Sequence, residues 1–206
     1  MSDDHHVTSI EQLEAIYGHA AGAAVWKEID HINAGYRAFI EAAPFFALST
    51  CGPEGVDCSP RGDEPGFVRV ADEKTLLIPD RRGNNRADSL RNVILDPRVA
   101  LLFLVPGVRE ALRVNGRAEV SIDPALRARF AVDGKEARSV LVVHVETVYF
   151  QCSRAILRAD LWNPEKHLPR SALPSTGTIL KTLSGAKVGG EAYDKGLEER
   201  MKANLY

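Results

Sequence analysis

The sequence predicts a mainly β protein: an antiparallel barrel of six or seven strands, with helices inserted between strands and two more ahead of them. Three observations carry this. Beyond Phe45 the apolar residues fall into short β-type runs separated by turns rich in Gly, Pro and Asp. Consecutive runs are joined directly, without the helix after each strand that alternating βαβ units require. The 206 residues, 45% of them hydrophobic, suffice for one core with appendages. The expected division is an N-terminal helical arm over 1–43, the barrel over 44–164, and an irregular segment ending in a helix over 165–206.

The net charge of -2 argues against non-specific binding to nucleic acid or to an anionic membrane. Cys51, Cys58 and Cys152 are odd in number and lack metal-type spacing, so reduced thiols are expected and a zinc site is not. The acidic, polar start MSDDHHVTSIEQ is unlike a signal peptide, and no apolar run approaches membrane-spanning length; the expectation is a soluble, cytoplasmic protein.

In chain order, Thr8 and Ser9 with Glu11 and Gln12 offer capping boxes for a helix from about residue 9. Val25, Ile29, Ile32, Tyr36, Phe39 and Ile40 predict one longer amphipathic helix that Pro44 ends. Both helices are expected outside the main core, as a lid or packing arm. Phe45–Thr50 and Val56–Ser59 read as a hairpin across Gly52-Pro53-Glu54-Gly55. Residues 59–66, SPRGDEPG, read as a shaped loop. Phe67–Val70 and Thr75–Ile78 form a second hairpin. Val99–Val105 is apolar throughout, as a strand covered on both faces would be. Ala111–Ile122 is a long strand with a bulge at Gly116. A helix from Asp123-Pro124 to about Val132, a strand over Val140–Tyr149 and a short helix over Ser153–Ala159 complete the barrel region. Lys166–Ser184 reads as irregular and Glu191–Asn204 as helical.

The stretch with most chemical content is Thr75–Arg98. Its apolar run ends at Pro79, a basic turn containing Gly83, Asn84 and Asn85 follows, and a helix then buries Leu90, Val93 and Ile94 until Pro97 stops it. Either Asn can cap that helix. Free N–H groups and a helix dipole beside Arg81, Arg82 and Arg86 suit a phosphate, but no established phosphate-loop fingerprint is present, and taken alone the segment reads better as a solvated Arg-rich loop. A second basic, Gly-containing loop, SPRGD at 59–63, lies across the predicted hairpin. The two loops are read as leaving opposite ends of adjacent strands, so that they converge only if register and curvature cooperate.

No nucleophile with an oriented base is visible. His144, inside an apolar strand, reads as a satisfied structural histidine, and Cys58 and Cys152 read as buried inert thiols, with reactivity beside the arginines as the alternative. Asp57, Asp63 and Asp80 read as turn formers or arginine partners. Trp162 reads as a packing anchor, with cover for a flat ring as its alternative.

Taken together, FALST at 46–50, CSPRGD at 58–63, FVRV at 67–70, IPDR at 78–81, Asn84–Arg86, DSLRN at 88–92 and LRVNGR at 112–117 resemble the pyridoxamine 5'-phosphate oxidase-related FMN-binding family. The resemblance covers about residues 25–164. It implies a split β-barrel homodimer with FMN at the subunit interface, and an FMN-dependent oxidoreductase acting on a small-molecule electron donor. It maps the phosphate to Ser59, Arg61, Asn85 and Arg86, with Asn84 and Arg81 in the same loop. Ile78, Pro79 and Asp80 would line the ribityl chain and the isoalloxazine edge. Gln151, Arg154 and Trp162 would approach the flavin from the partner chain or the barrel's end. The chain departs from the family pattern at Gln151, where His is expected, and at Arg154, where Lys is usual. Its end, GLEERMKANLY, has no counterpart in the substrate-phosphate signature of the vitamin B6 enzyme. A non-catalytic flavin-binding or storage protein is the alternative. A split barrel for another phosphorylated or tetrapyrrole ligand ranks third.

Overall fold

The computed structural model describes residues 5–206; the first four residues of the expected helical arm and of the acidic start lie outside the described residues. Seven strands form one antiparallel sheet: β1 (Phe45–Gly52), β2 (Gly55–Gly62), β3 (Arg69–Asp72), β4 (Thr75–Asp80), β5 (Arg98–Leu104), β6 (Ala111–Ser121) and β7 (Ser139–Gln151), in the spatial order β2-β1-β5-β6-β7-β4-β3. This is the split-barrel type of mainly β fold with inserted helices.

Alternation places one apolar face of this sheet inward. Phe46 and Leu48 of β1, Val99, Leu101 and Phe103 of β5, Leu112 and Val114 of β6, and Val143, Val145 and Val148 of β7 are all buried. Phe46 stacks on Phe67 at 5.9 Å and tilts against Phe103 at 4.9 Å between ring centroids. Removal of such side chains from water, at roughly 25 cal/mol per Å² of apolar surface, is the main force holding the sheet closed. The bulge expected at Gly116 is present as a register shift between Asn115 and Gly116. A Cβ at Gly116 would run into the His144 backbone oxygen, so glycine is required there for close approach.

Helix α1 (Ile10–Tyr17) is capped by Ser9, whose Oγ accepts from the Gln12 amide at 3.2 Å, and buries no residue. The longer helix expected over 25–40 is not continuous. It divides into α2 (Ala23–Trp26) and α3 (Ala34–Ala42) because the backbone between them pairs with the sheet: Ile29 bridges Val148, and the Ile32 amide donates to Glu73 O at 2.7 Å. Asn33 then restarts the helix, its Oδ1 accepting from the Tyr36 amide at 2.8 Å. Ile32, Tyr36, Ile40 and Ala43 are in the main core, so α3 is not a peripheral arm; α1 and α2, which bury no residue, fit that description.

Other expectations are corrected more locally. Ser59–Gly62 continues β2 and is not loop. Pro79 lies within β4; β3 pairs only as far as Leu77, so no partner on that side needs the missing N–H. On β5, Ala100 and Leu104 are half-buried and Leu102 is exposed, so its second face is only partly covered among the described residues. Helix α4 (Asp88–Leu95) buries Ser89 and Val93 while Ile94 is exposed. The helix after Asp123, α5 (Pro124–Ala128), is shorter than expected, and α6 (Arg154–Ala159) forms as expected. Within the expected irregular stretch, α7 (Thr176–Leu183) is capped by Ser175. The terminal helix is two short ones, α8 (Glu191–Asp194) and α9 (Leu197–Lys202). Among the described residues no helix is long and apolar enough to cross a membrane.

Candidate functional site

The basic loops converge. A cavity of about 750 Å³ is lined by Ser59–Asp63 at the end of β2, by the whole run Pro79–Leu90, and by Phe67, Arg138 and Ser139. The expectation that the loops leave opposite ends of adjacent strands is wrong for a simple reason. They flank the β3–β4 hairpin, and in an antiparallel pair the start of the first strand and the end of the second lie at the same open end. Closure against β2 comes from curvature: Asp80 at the end of β4 feels the charge of Arg61 on β2, although β1, β5, β6 and β7 separate these strands in the sheet.

Strand β2 presents alternate residues inward. Asp57, Ser59 and Arg61 are half-buried while Val56, Cys58 and Pro60 face out, which leaves Cys58 exposed and not, as expected, an inert buried thiol; Cys152 is exposed too. Asp57 accepts from Ser59 Oγ at 2.9 Å and from Ser89 Oγ at 3.2 Å, tying β2 to α4. Both hydroxyls thus share one acceptor beside the cavity.

The 81–87 turn is not a capped helix start. Asn84 Oδ1 accepts from the Arg86 amide at 3.0 Å, Asn85 takes the left-handed conformation at φ 61°, and α4 begins only after Ala87, also left-handed at φ 53° and without a side-chain cap. Neither Asn caps the helix. Two non-glycine residues in this sparsely populated region mark a turn held by its surroundings. Asp88 occupies the first turn and accepts from Arg86 Nε at 2.8 Å, so the helix end and Arg86 already share one acid.

Five arginines (Arg61, Arg81, Arg82, Arg86 and Arg138) face three aspartates (Asp63, Asp80 and Asp88) across the cavity, and Phe67, Pro79 and Leu90 add apolar surface. Burial pushes the Asp80 carboxyl above its ordinary value, against the opposing charges of Arg61 and Arg138. Arg138, which has no obvious motif in the sequence, donates to Asn85 Oδ1 at 2.9 Å and so joins the start of β7 to the turn. The surplus of guanidinium groups suits an anion, and the volume suits a small organic ligand.

Of the site residues named from sequence, Ser59, Arg61, Pro79, Asp80, Arg81, Asn84, Asn85 and Arg86 line this cavity. Ile78 does not: its side chain is 2% exposed and belongs to the core. Gln151 ends β7, Arg154 begins α6, and neither reaches the cavity within the chain. Trp162 donates its Nε1–H to Val108 O at 2.7 Å and lines a separate hollow with Arg109 and Asp160, in keeping with a packing anchor. His144 is neither buried nor catalytic in placement; it is exposed, 3.5 Å from Glu119. Arg138, Ser89 and Phe67 were missed because each enters the site only through tertiary pairing.

A family model described as Pyridoxamine 5'-phosphate oxidase matches residues 32–152. No curated protein matches the chain. Solved structures similar to it include HupZ of Group A Streptococcus, at 16% identity and TM-score 0.49 over 59% of this chain and 95% of that one. General Stress Protein 26 from Bacillus anthracis is similar at 17% identity and TM-score 0.41, over 55% and 88%. A protein related to general stress protein 26, from Clostridium acetobutylicum, is similar at 14% identity and TM-score 0.40, over 56% and 84%. The match at 32–152 takes in more than half of the chain, including both loops of the cavity, and the protein belongs to the pyridoxamine 5'-phosphate oxidase family.

Proposed function

We propose that the protein binds FMN in this cavity and acts as an FMN-dependent oxidoreductase on a small-molecule electron donor. The observation that carries the reading is the meeting of Arg61 on β2 with Arg86 and Arg138 beside the 81–87 turn, in a cleft that also has apolar surface. That donor set fits a ligand with one terminal phosphate and a flat apolar ring. When bound, FMN supplies two-electron chemistry. The protein's part is to hold and orient it. Arg61, Arg86 and Arg138 neutralise the phosphate, Ser59 and Ser89 present hydroxyls already placed by Asp57, and Phe67, Pro79 and Leu90 keep water from one end of the cleft. Asp80 limits the positive charge near the two arginines that it faces.

Gln151, Arg154 and Trp162 lie outside the cavity of their own chain, and the half-open face of β5 offers a surface for a second copy. In the proposed homodimer these residues approach the partner's flavin. The activity is tested by anaerobic mixing of FMN-loaded protein with NADH, NADPH or pyridoxamine 5'-phosphate. Bleaching of the flavin absorbance by one of them is expected; bound FMN that none of them reduces would favour storage over catalysis.

A further inference from the structure

The last residues of the chain close on the loop that walls the cavity. Tyr206 Oη donates to Asp63 Oδ1 at 2.6 Å, and Arg81 Nε donates to Asp63 Oδ2 at 3.1 Å. Arg81 Nη1 also donates to the buried Phe130's carbonyl at 2.6 Å, and its guanidinium lies 5.3 Å from the centre of the Tyr206 ring. Lys135 Nζ donates to the Tyr206 backbone oxygen at 3.1 Å. The Asp63 side chain is 7% exposed and that of Arg81 19%, so this is a sheltered cluster and not a solvated ion pair. Burial raises the Asp63 carboxyl, but hydrogen bonds from Tyr206, the Glu64 amide and Arg81 outweigh it and hold the group below its ordinary value. A second hollow of about 740 Å³ shares Gly62, Asp63 and Arg81–Asn84 with the first, and its far wall is Arg200, Met201, Asn204, Leu205 and Tyr206.

We infer that Tyr206 is a positioning residue: by holding Asp63 it fixes Arg81, and with Arg81 the 81–84 loop that forms the partition between the two hollows. The C-terminal segment then braces the wall of the ligand cleft from its far side. Without the phenol, Asp63 loses one of the donors that compensate its burial and Arg81 has a looser partner, so the loop opens more often. The consequence for FMN rests on the functional reading above; the consequence for the loop does not.

The test is amide hydrogen exchange of the ligand-free protein, with FMN affinity as a second arm. In Tyr206→Phe, exchange at the Arg86 and Arg138 amides, which border the loop and donate to Asn84 Oδ1 and Asp80 O, should accelerate by roughly tenfold, as expected for loss of a hydrogen bond to a charged group, while the amides of β5–β7 keep their protection. Asp63→Asn should accelerate the same amides, and Tyr206→Phe added to it should have little further effect, because the tyrosine acts through the aspartate. Unchanged loop exchange, additive effects, or equal acceleration throughout the sheet would each overturn the inference. FMN affinity should weaken about as much as the loop loosens. If wild-type protein does not bind FMN, the functional reading fails and the exchange pattern alone decides the role of Tyr206.

Discussion

Arg61 and Arg86 carry the same charge but occupy different surroundings. Arg61 is half-buried on the inner face of β2, opposite the half-buried Asp80, whereas the Arg86 side chain is 74% exposed and already paired with Asp88. Solvent screens the second far more than the first. Arg61→Ala should therefore weaken FMN binding by roughly tenfold or more, and Arg86→Ala by less, as measured by fluorescence titration. Asp80 gives a pH signature. Its carboxyl is raised in the folded state, so its contribution to stability is fully present below the unfolded value of about 4 and is lost as pH rises through the folded one. Asp80→Asn lacks this dependence. The melting temperature of wild type relative to that variant should accordingly rise as the pH is lowered from 7 toward 4. The arginines and both loops were legible in the sequence because Gly, Pro and charge clusters are local signals. Arg138 and Tyr206 were not, since each gains its meaning from a residue more than fifty positions away.

At the scale of elements, α3 and α1 should respond oppositely to truncation. Ile40 of α3 is fully buried, and Ile40→Ala should cost about 2–5 kcal/mol in urea denaturation. Ile16 of α1 is 63% exposed, and Ile16→Ala should change stability by no more than about 0.5 kcal/mol. Gly116→Ala places a methyl against the His144 backbone and should cost about 1–3 kcal/mol, because neither strand can withdraw without breaking the ladder. The bulge was readable from one glycine in a long strand. The break between α2 and α3 was not: the 3.6-residue apolar pattern persists through Ile29 and Ile32, and only pairing with Val148 and Glu73 reveals that this backbone belongs to the sheet's surroundings. The open end of the β3–β4 hairpin was readable in principle, since any hairpin brings its two flanking loops together.

For the whole molecule, the sheet leaves one partly apolar face only partly covered among the described residues. Phe45 and Ala47 of β1 lie beside Leu104 and Leu102 of β5, and Phe45 and Leu102 are 39% and 37% exposed. The proposed homodimer would bury this face and supply each cleft with Gln151, Arg154 and Trp162 from the other chain. Leu102→Glu should then shift a dimer to monomer in light scattering and lower FMN affinity together; a monomeric wild type would remove the dimer from the account. The most direct measurement of the central claim is a titration of the purified protein with FMN, followed by quenching of flavin fluorescence, in wild type and Arg61→Ala side by side. Saturable quenching in the wild type that becomes roughly tenfold weaker in the variant is predicted. Absence of quenching, or equal affinity in the two proteins, would contradict the placement of FMN in this cleft.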